Sequence, residues 1–370
     1  MFCRRGAAPL TTVKPDWINR RRESHRRAWA SIKPLRPVTA SVLLVPLLLA
    51  LVFAPWPLLA AEPQCRIDEP ARVLAPARSE EISIATQNLW RLSAAEQAPP
   101  LVAQRLRRWA EHVDSVLGLP HVLVLQEVDS DALLQRLVEQ IVARGGPRYE
   151  SWLIEGQPPA AMDVAVLTRA PVQVAEVRAL FASERHGQHW LFSRAPLRLV
   201  LAEPLPMVLL ALHLRSGRGL RHPERGTWVQ AKRRAQAEAL RQQVLTELTA
   251  GRQVLVAGDF NSAPVDQGGE RYAEPWSILA RPPLFSAWQQ LPPAEHFSYR
   301  YRCQVQAIDH LLLSPGLAER LSRVAVSRGH AGRYDALYGG AGAGRVLSDH
   351  DALKIYLRVP SAKSQTGEQQ

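Results

Sequence analysis

The sequence predicts an α/β domain, and three observations predict it. Eight short runs rich in Val, Ile and Leu are spread between residues 82 and 357, each bounded by turn residues. Between them lie stretches with apolar residues at helical spacings of three and four. Polar residues of chemically useful type stand at the ends of the runs. With 46% hydrophobic residues in 370, the chain can build a sizeable core.

Taken in order, the chain opens on a basic region, residues 1–37. Residues 1–61 hold ten Lys/Arg against two Asp/Glu, so most of the net charge of +12 lies there and residues 62–370 carry only +4. The remainder is mildly basic, which is compatible with a phosphate-bearing substrate without being diagnostic of one. Residues 38–61, VTASVLLVPLLLALVFAPWPLLAA, carry no charge, and about 20 apolar residues span a bilayer core. The basic flank is retained in the cytoplasm and directs the rest of the chain outward. Pro46, Pro55 and Pro57 weaken a long regular helix. Ala60 and Ala61 offer a small-residue cleavage site, although Leu58 and Leu59 stand where a small residue is preferred. Two readings stay open: an uncleaved anchor that holds the domain at the periplasmic or outer face, and a cleaved export signal. Residues 62–80, rich in Pro and Ala, read as a linker, 81–360 as the folded domain and 361–370 as a disordered tail. Three cysteines without a CxxC pair exclude a disulfide scaffold and a zinc ribbon. Cys65 and Cys303 either pair after export or remain free thiols.

The strand runs are ISIAT (82–86), VLVLQ (122–126), DVAVLT (163–168), MVLLAL (207–212), QVLVAG (253–258), HLLLS (310–314), VAVS (324–327) and ALKIYL (352–357). Residues 101–117 place Val102, Leu106, Trp109, Val113 and Leu117 on one helical face. Residues 131–143 repeat the pattern with Leu134, Leu137, Val138 and Ile141, and Ser130 is positioned as N-cap. A long polar helix is expected over 224–250, ending at Gly251. Residues 262–306 read as long surface loops, and GGAGAG (339–344) as a flexible loop rather than a phosphate cradle.

The chemistry gathers at the run ends. Asn88 follows ISIATQ, Glu127 follows VLVLQ, His213 follows MVLLAL, and Asp259 with Asn261 follows QVLVAG. Asp309 precedes HLLLS, and Ser348-Asp349-His350 precedes ALKIYL. Strand ends emerge at a sheet rim, where such side chains can converge in one cleft. Asn88, Glu127 and Asp349 offer hard oxygen ligands suited to Mg²⁺ or Mn²⁺. His213 and His350 can donate to phosphoryl oxygens or shuttle a proton. Asp309 can orient a histidine, Asp259 can orient or deprotonate a water, and Asn261 can hold a phosphate oxygen through its amide.

The strings TQNLW, LVLQEV, HLRSG, VAGDFNSAP, AIDHLLLSP and LSDHDAL, in this order from Asn88 to His350, resemble the signature of the endonuclease/exonuclease/phosphatase superfamily. That superfamily includes abasic-site endonucleases, pancreatic-type deoxyribonucleases, neutral sphingomyelinases and inositol polyphosphate 5-phosphatases. The resemblance implies a four-layer α/β/β/α sandwich, two packed mixed β-sheets with helices outside. It implies Glu127 as the main metal ligand, with Asn88 helping to hold metal or phosphate and Asp349 completing the network. His213 would contact the scissile phosphate or act as general acid, Asp259 would position the attacking water, Asn261 would bind phosphate, and Asp309 would orient His350. A tyrosine of the abasic-site branch has no clear counterpart; HLRSG with its following polar helix looks more like the secreted bacterial branch.

The expected activity is metal-dependent phosphodiester hydrolysis, most of all of nucleic acid. A phospholipid or sphingomyelin headgroup and a phosphorylated inositol or sugar are the rival substrates, and a tethered, inactive binding module is the rival class. Arg194 and Arg215 either grip phosphate or are solvated surface arginines, and Asp163 faces either the cleft or solvent. His186 and His189, in HGQH without a carboxylate partner, read as loop. The absence of a GxSxG elbow argues against Ser216 or Ser262 as a nucleophile. FSYRYR (297–302) either stacks bases or forms a twisted ribbon with exposed tyrosines.

Overall fold

The computed structural model of the chain describes residues 71–156, 162–301, 304–331 and 347–360. The hydrophobic stretch 38–61, Cys65 and Cys303, the GGAGAG loop and the tail lie outside the described residues. No helix among the described residues is long and apolar enough to cross a membrane.

The strands are β1 (Glu81–Leu92), β2 (Val122–Val128), β3 (Glu150–Leu153), β4 (Asp163–Thr168), β5 (Gln173–Ala179), β6 (Arg185–His186), β7 (His189–Trp190), β8 (Leu197–Glu203), β9 (Met207–His213), β10 (Val254–Asp259), β11 (Phe285–Ser286), β12 (Tyr299–Tyr301), β13 (Gln304–Gln306), β14 (Asp309–Leu313), β15 (Leu321–Val326) and β16 (Leu353–Arg358). Three long helices accompany them: α1 (Pro99–Glu111), α2 (Asp131–Ala143) and α3 (Gly226–Thr249). One six-stranded sheet runs β15-β16-β1-β2-β4-β3, the other β11-β14-β10-β9-β8-β5.

All eight apolar runs are strands. Their near-continuous hydrophobicity follows from burial on both faces. In β2, Val122 and Val124 join the layer between the sheets, where they meet residues such as Leu209, Ala211, Leu255 and Leu311. Leu123 and Leu125 point the other way and pack with Leu106, Trp109, Leu134 and Leu137 of α1 and α2. In β10, Leu255 and Ala257 face inward, while Val254 and Val256 meet Leu240 and Val244 of α3. The period-two alternation of a strand thus builds four layers.

Each helix has a local cause. Ser130 caps α2 by accepting from Leu133 N. Pro99 and Pro100 stand where α1 has no amide partner to lose. The apolar face read through residue 117 continues past α1 as a π-helical stretch, His112–Val116. The long helix expected over 224–250 is α3, followed by Gly251 at φ +73°.

Elsewhere the structure departs from the sequence reading. Edge strand β5 is largely exposed and lacks an apolar run. In β8 the run is broken by Arg198, which is buried and paired with Glu247 of α3 at 2.6 and 3.2 Å. The segment 262–306 holds the helix Glu270–Leu279 and the hairpin β12–β13 besides loops. HGQH is the tip of the two-residue hairpin β6–β7. The part of the expected linker that is described, residues 71–80, is docked. Leu74 is buried and its N–H bonds Val116 O at 2.7 Å. Lys354 of β16 donates to Ala75 O at 3.1 Å and Leu117 O at 2.6 Å.

Lys354 makes this docking pH-sensitive. Burial pulls its ammonium from the ordinary 10.5 down to about 7. Below about 7 both folded and unfolded states are charged and the burial penalty is complete. Between there and 10.5 the folded state sheds its proton first, and the penalty fades. Unfolding free energy relative to Lys354→Met should therefore rise from pH 7 to 9.5, by at most about 1.4 kcal/mol per unit. Urea titrations of both proteins read this directly; a difference that stays flat with pH contradicts it.

Candidate active site

The site is built on two βαβ units. β1 and β2 are parallel and linked through α1; β9 and β10 are parallel and linked through α3. Ligands of such sheets bind outside the carboxyl ends of parallel strands. Those ends carry Asn88, Glu127, His213 and Asp259. The antiparallel neighbours β14 and β16 run the other way, so their amino ends arrive at the same rim. Asp309 stands opposite Asp259 in register, as does His213 from the other side. Asp349 and His350 lie just ahead of β16.

Two backbone features aim these groups. The β2–β4 register slips between Gln126 and Val128, and Glu127 adopts φ +65°. A left-handed non-glycine residue costs about 1–3 kcal/mol and persists where its surroundings hold it. Here Arg91 N donates to Glu127 Oε2 at 2.8 Å and Asn88 Nδ2 to Oε1 at 3.3 Å. Gly258, at φ +141°, precedes Asp259, and a Cβ there would lie 1.9 Å from Leu212 O. Gly258→Ala should therefore cost more than about 3 kcal/mol of stability or prevent folding. A urea midpoint within experimental error of the wild type would refute that close approach.

The contacts form one network. Asn88 Nδ2 also donates to Asp259 Oδ2 at 3.2 Å, and its Oδ1 accepts from Trp90 N at 2.9 Å. Asn88 thus clamps the carboxylates of the two sheets together. Asp259 Oδ1 accepts from Asn261 N at 2.7 Å, and His213 Nε2 lies 3.4 Å from Oδ2. Asn261 spends both amide hydrogens, on Leu214 O at 3.1 Å and Asp259 Oδ2 at 3.2 Å. Asn261 thereby braces Asp259. Asp309 Oδ2 accepts from His350 Nδ1 at 2.7 Å. Ser298 Oγ donates to the same oxygen at 2.6 Å.

The charges separate the two histidines. Burial, followed by Arg194 and His350, holds His213 well below its ordinary 6.5, so it is neutral. Burial alone would lower His350 too, but Asp309, Asp349 and Asp259 outweigh it and hold the ring well above 6.5, as an imidazolium. Burial, with Asp309 and Glu127 beside it, lifts Asp259 to about 7. Burial and the same neighbours also raise Asp349.

The family model for endonuclease/exonuclease/phosphatase proteins matches residues 85–350. The chain belongs to the endonuclease/exonuclease/phosphatase family. It is accordingly a metal-dependent phosphoester hydrolase. A comparison with curated proteins found no match. Solved structures share the fold at low identity. TDP2 of D. rerio, complexed with single-strand DNA product, is 19% identical at a TM-score of 0.52, covering 75% of this chain and 98% of that one. NExo of Neisseria, a 3′ phosphatase bound to a product DNA hairpin, is 18% identical at 0.50, covering 74% and 98%. A family member from Bacteroides vulgatus is 12% identical at 0.53, covering 76% and 99%.

The residues fit the family's divalent ion. Glu127 and Asp309 each push Asp259 and Asp349 toward their protonated forms, the signature of negative charge gathered without a counter-ion. Glu127 and Asp349 are half-buried, which suits an ion that keeps several waters. Asp259, Asp309 and His350 also bring ligand atoms within 4.8 Å of one another. His350 is protonated and bonded to Asp309 through Nδ1, so it is a donor there rather than a ligand.

Of the other polar side chains near the site, Ser298 and Lys232 escape a reading of the sequence. Ser298 lies in the FSYRYR string, whose ribbon form is β12–β13, and Tyr299 packs its ring 5.0 Å from His350. The buried hydroxyl of Ser298 has no signal beyond its place in that string. Asp163 is buried, accepts from Gly156 N at 2.9 Å, and is lifted by burial to about 6. Arg194 and Arg215 line a cleft with His213 and with Lys232, a residue of α3 that polar composition conceals.

Proposed function

We propose that the chain is a divalent-metal-dependent nuclease that cleaves a phosphodiester by in-line attack of water. The convergence of Glu127, Asp259, Asp309 and His350 at the facing strand ends carries this reading. Glu127 and Asp349 would hold Mg²⁺ or Mn²⁺, with Asn88 fixing Glu127 against Asp259. When bound, the ion neutralises charge on the phosphoryl oxygens. Asp259 orients the water and takes its proton; a carboxylate lifted to about 7 is matched to that task. The His350 imidazolium donates to a non-bridging oxygen as charge develops. Asp309 and, behind it, Ser298 fix the ring. His213, neutral and with Nε2 3.4 Å from Asp259 Oδ2, stands beside the base and walls the cleft.

DNA products in the D. rerio and Neisseria relatives and the arginines beside His213 support nucleic acid over the rival phosphoesters. The arginine flank and apolar stretch support action at the outer face of a membrane or after export. The test is hydrolysis by the full chain with Mg²⁺ or Mn²⁺ across plasmid DNA, single-stranded DNA, RNA, sphingomyelin and a soluble inositol phosphate. Cleavage of a nucleic acid is the expected result. Cleavage of sphingomyelin or inositol phosphate alone would replace the substrate. Silence on all five from folded protein would favour the binding module.

A further inference from the structure

The hydrolytic chemistry leaves three cations beside His213 unused. Arg194 precedes β8, Arg215 follows β9, and Lys232 comes from the second turn of α3. They line one cleft together with His213, Ser193 and Ser216. Lys232 is only 3% exposed, yet among the described residues no carboxylate or carbonyl accepts from it; it lies instead against the ring of Trp228, at 5.4 Å. Arg215 stacks on the same ring at 5.0 Å. The buried Nε atoms of Arg194 and Arg215, and Nδ1 of His213, have no hydrogen-bond partner.

Such a group is costly. A buried ammonium or guanidinium without an anion forgoes both hydration and a counter-charge. Trp228, with His189 against its edge at 5.0 Å, props the two cations in place but neutralises neither. Glu127, Asp259 and Asp163 act on Arg194, but among the described residues no carboxylate acts on Arg215 or Lys232; what those two lack is an anion with several acceptor oxygens. Guanidinium forks match phosphate best. The scissile phosphate already has its place at the carboxylate end of the site, where Glu127 and Asp349 would hold the ion. His213 stands between the two, with Nε2 toward Asp259 and its ring lining the cation cleft.

We propose that Arg194, Arg215 and Lys232 form a second phosphate subsite, which takes a phosphate flanking the scissile one. The substrate is then a polyphosphorylated chain, and an isolated diester is used poorly. This rests on the phosphodiesterase reading, and it adds where the substrate's next phosphate lies.

The experiment compares thymidine dinucleotides with and without a terminal phosphate, using the full chain with Mg²⁺. In the wild type the added phosphate, at the 5′ or the 3′ end, should raise kcat/KM at least tenfold. Lys232→Gln and Arg215→Gln should each shrink that ratio toward one, and Lys232→Arg should restore most of it. A parallel titration with inorganic pyrophosphate in chelator needs no turnover. Wild type should bind it at least tenfold more tightly than either Gln variant. Equal pyrophosphate affinity in wild type and variants, or a terminal-phosphate gain that both Gln variants retain, overturns the subsite. Failure to cleave either dinucleotide, with pyrophosphate discrimination intact, overturns the phosphodiesterase reading and leaves the subsite standing.

Discussion

Asp259→Asn should lower kcat by about 10³-fold or more while thermal stability in chelator stays level or rises. The rate loss is expected because this one carboxylate touches His213, Asn88 and the Asn261 amide at once. An amide cannot take the water's proton. The stability result follows from the sign of its shift. An acid raised from 3.8 to about 7 on folding is disfavoured as the ion by the fold. That penalty is complete above about 7 and vanishes below 3.8, so at pH 7.5 a neutral isostere removes it. Activity within tenfold of the wild type would show that Asp259 is not the base. A marked fall in Tm would show that it holds the fold together.

His350→Ala should cost about 10²–10³ in kcat, the scale of losing one oxyanion donor. Asp309→Asn separates the donor from its support. Asp309 is the first of the carboxylates holding His350 well above 6.5, so removing its charge lets the imidazolium lose its proton at lower pH. The alkaline limb of kcat/KM should therefore move toward neutrality in Asp309→Asn. A limb that stays in place, whatever the loss in rate, would show that the 2.7 Å contact does not set the proton on His350.

Much of the layered fold is legible in the sequence because its inner strands are buried on both faces. Val122–Leu125 and Leu209–Leu212 show as runs that need no alternation to be read. Strand ends place Asn88, Glu127, His213, Asp259, Asp309 and Asp349–His350 in order, and the backbone brings them to one rim. The features that stay hidden lack a local signal. β5 is an edge strand with little to bury, and β8 hides its run behind Arg198, whose charge is answered 49 residues away by Glu247. The stretch 71–80 looks like linker because its anchors, Lys354 and Val116, belong to distant elements. Lys232 sits in a helix whose buried face carries Arg233 and Gln236, so nothing in the pattern marks it. The contacts by which Asn261 braces Asp259 stay hidden too, because Leu214 O comes to its side only in the folded chain.

The most direct measurement is Mg²⁺-dependent cleavage of an oligonucleotide by the metal-stripped full chain, with Glu127→Gln alongside. No turnover in chelator, recovery on adding Mg²⁺ or Mn²⁺, and a requirement for at least tenfold more metal in Glu127→Gln are the predicted results. Turnover that survives chelation, or a Glu127→Gln enzyme with the wild-type metal dependence, would contradict a metal-dependent centre built at these strand ends.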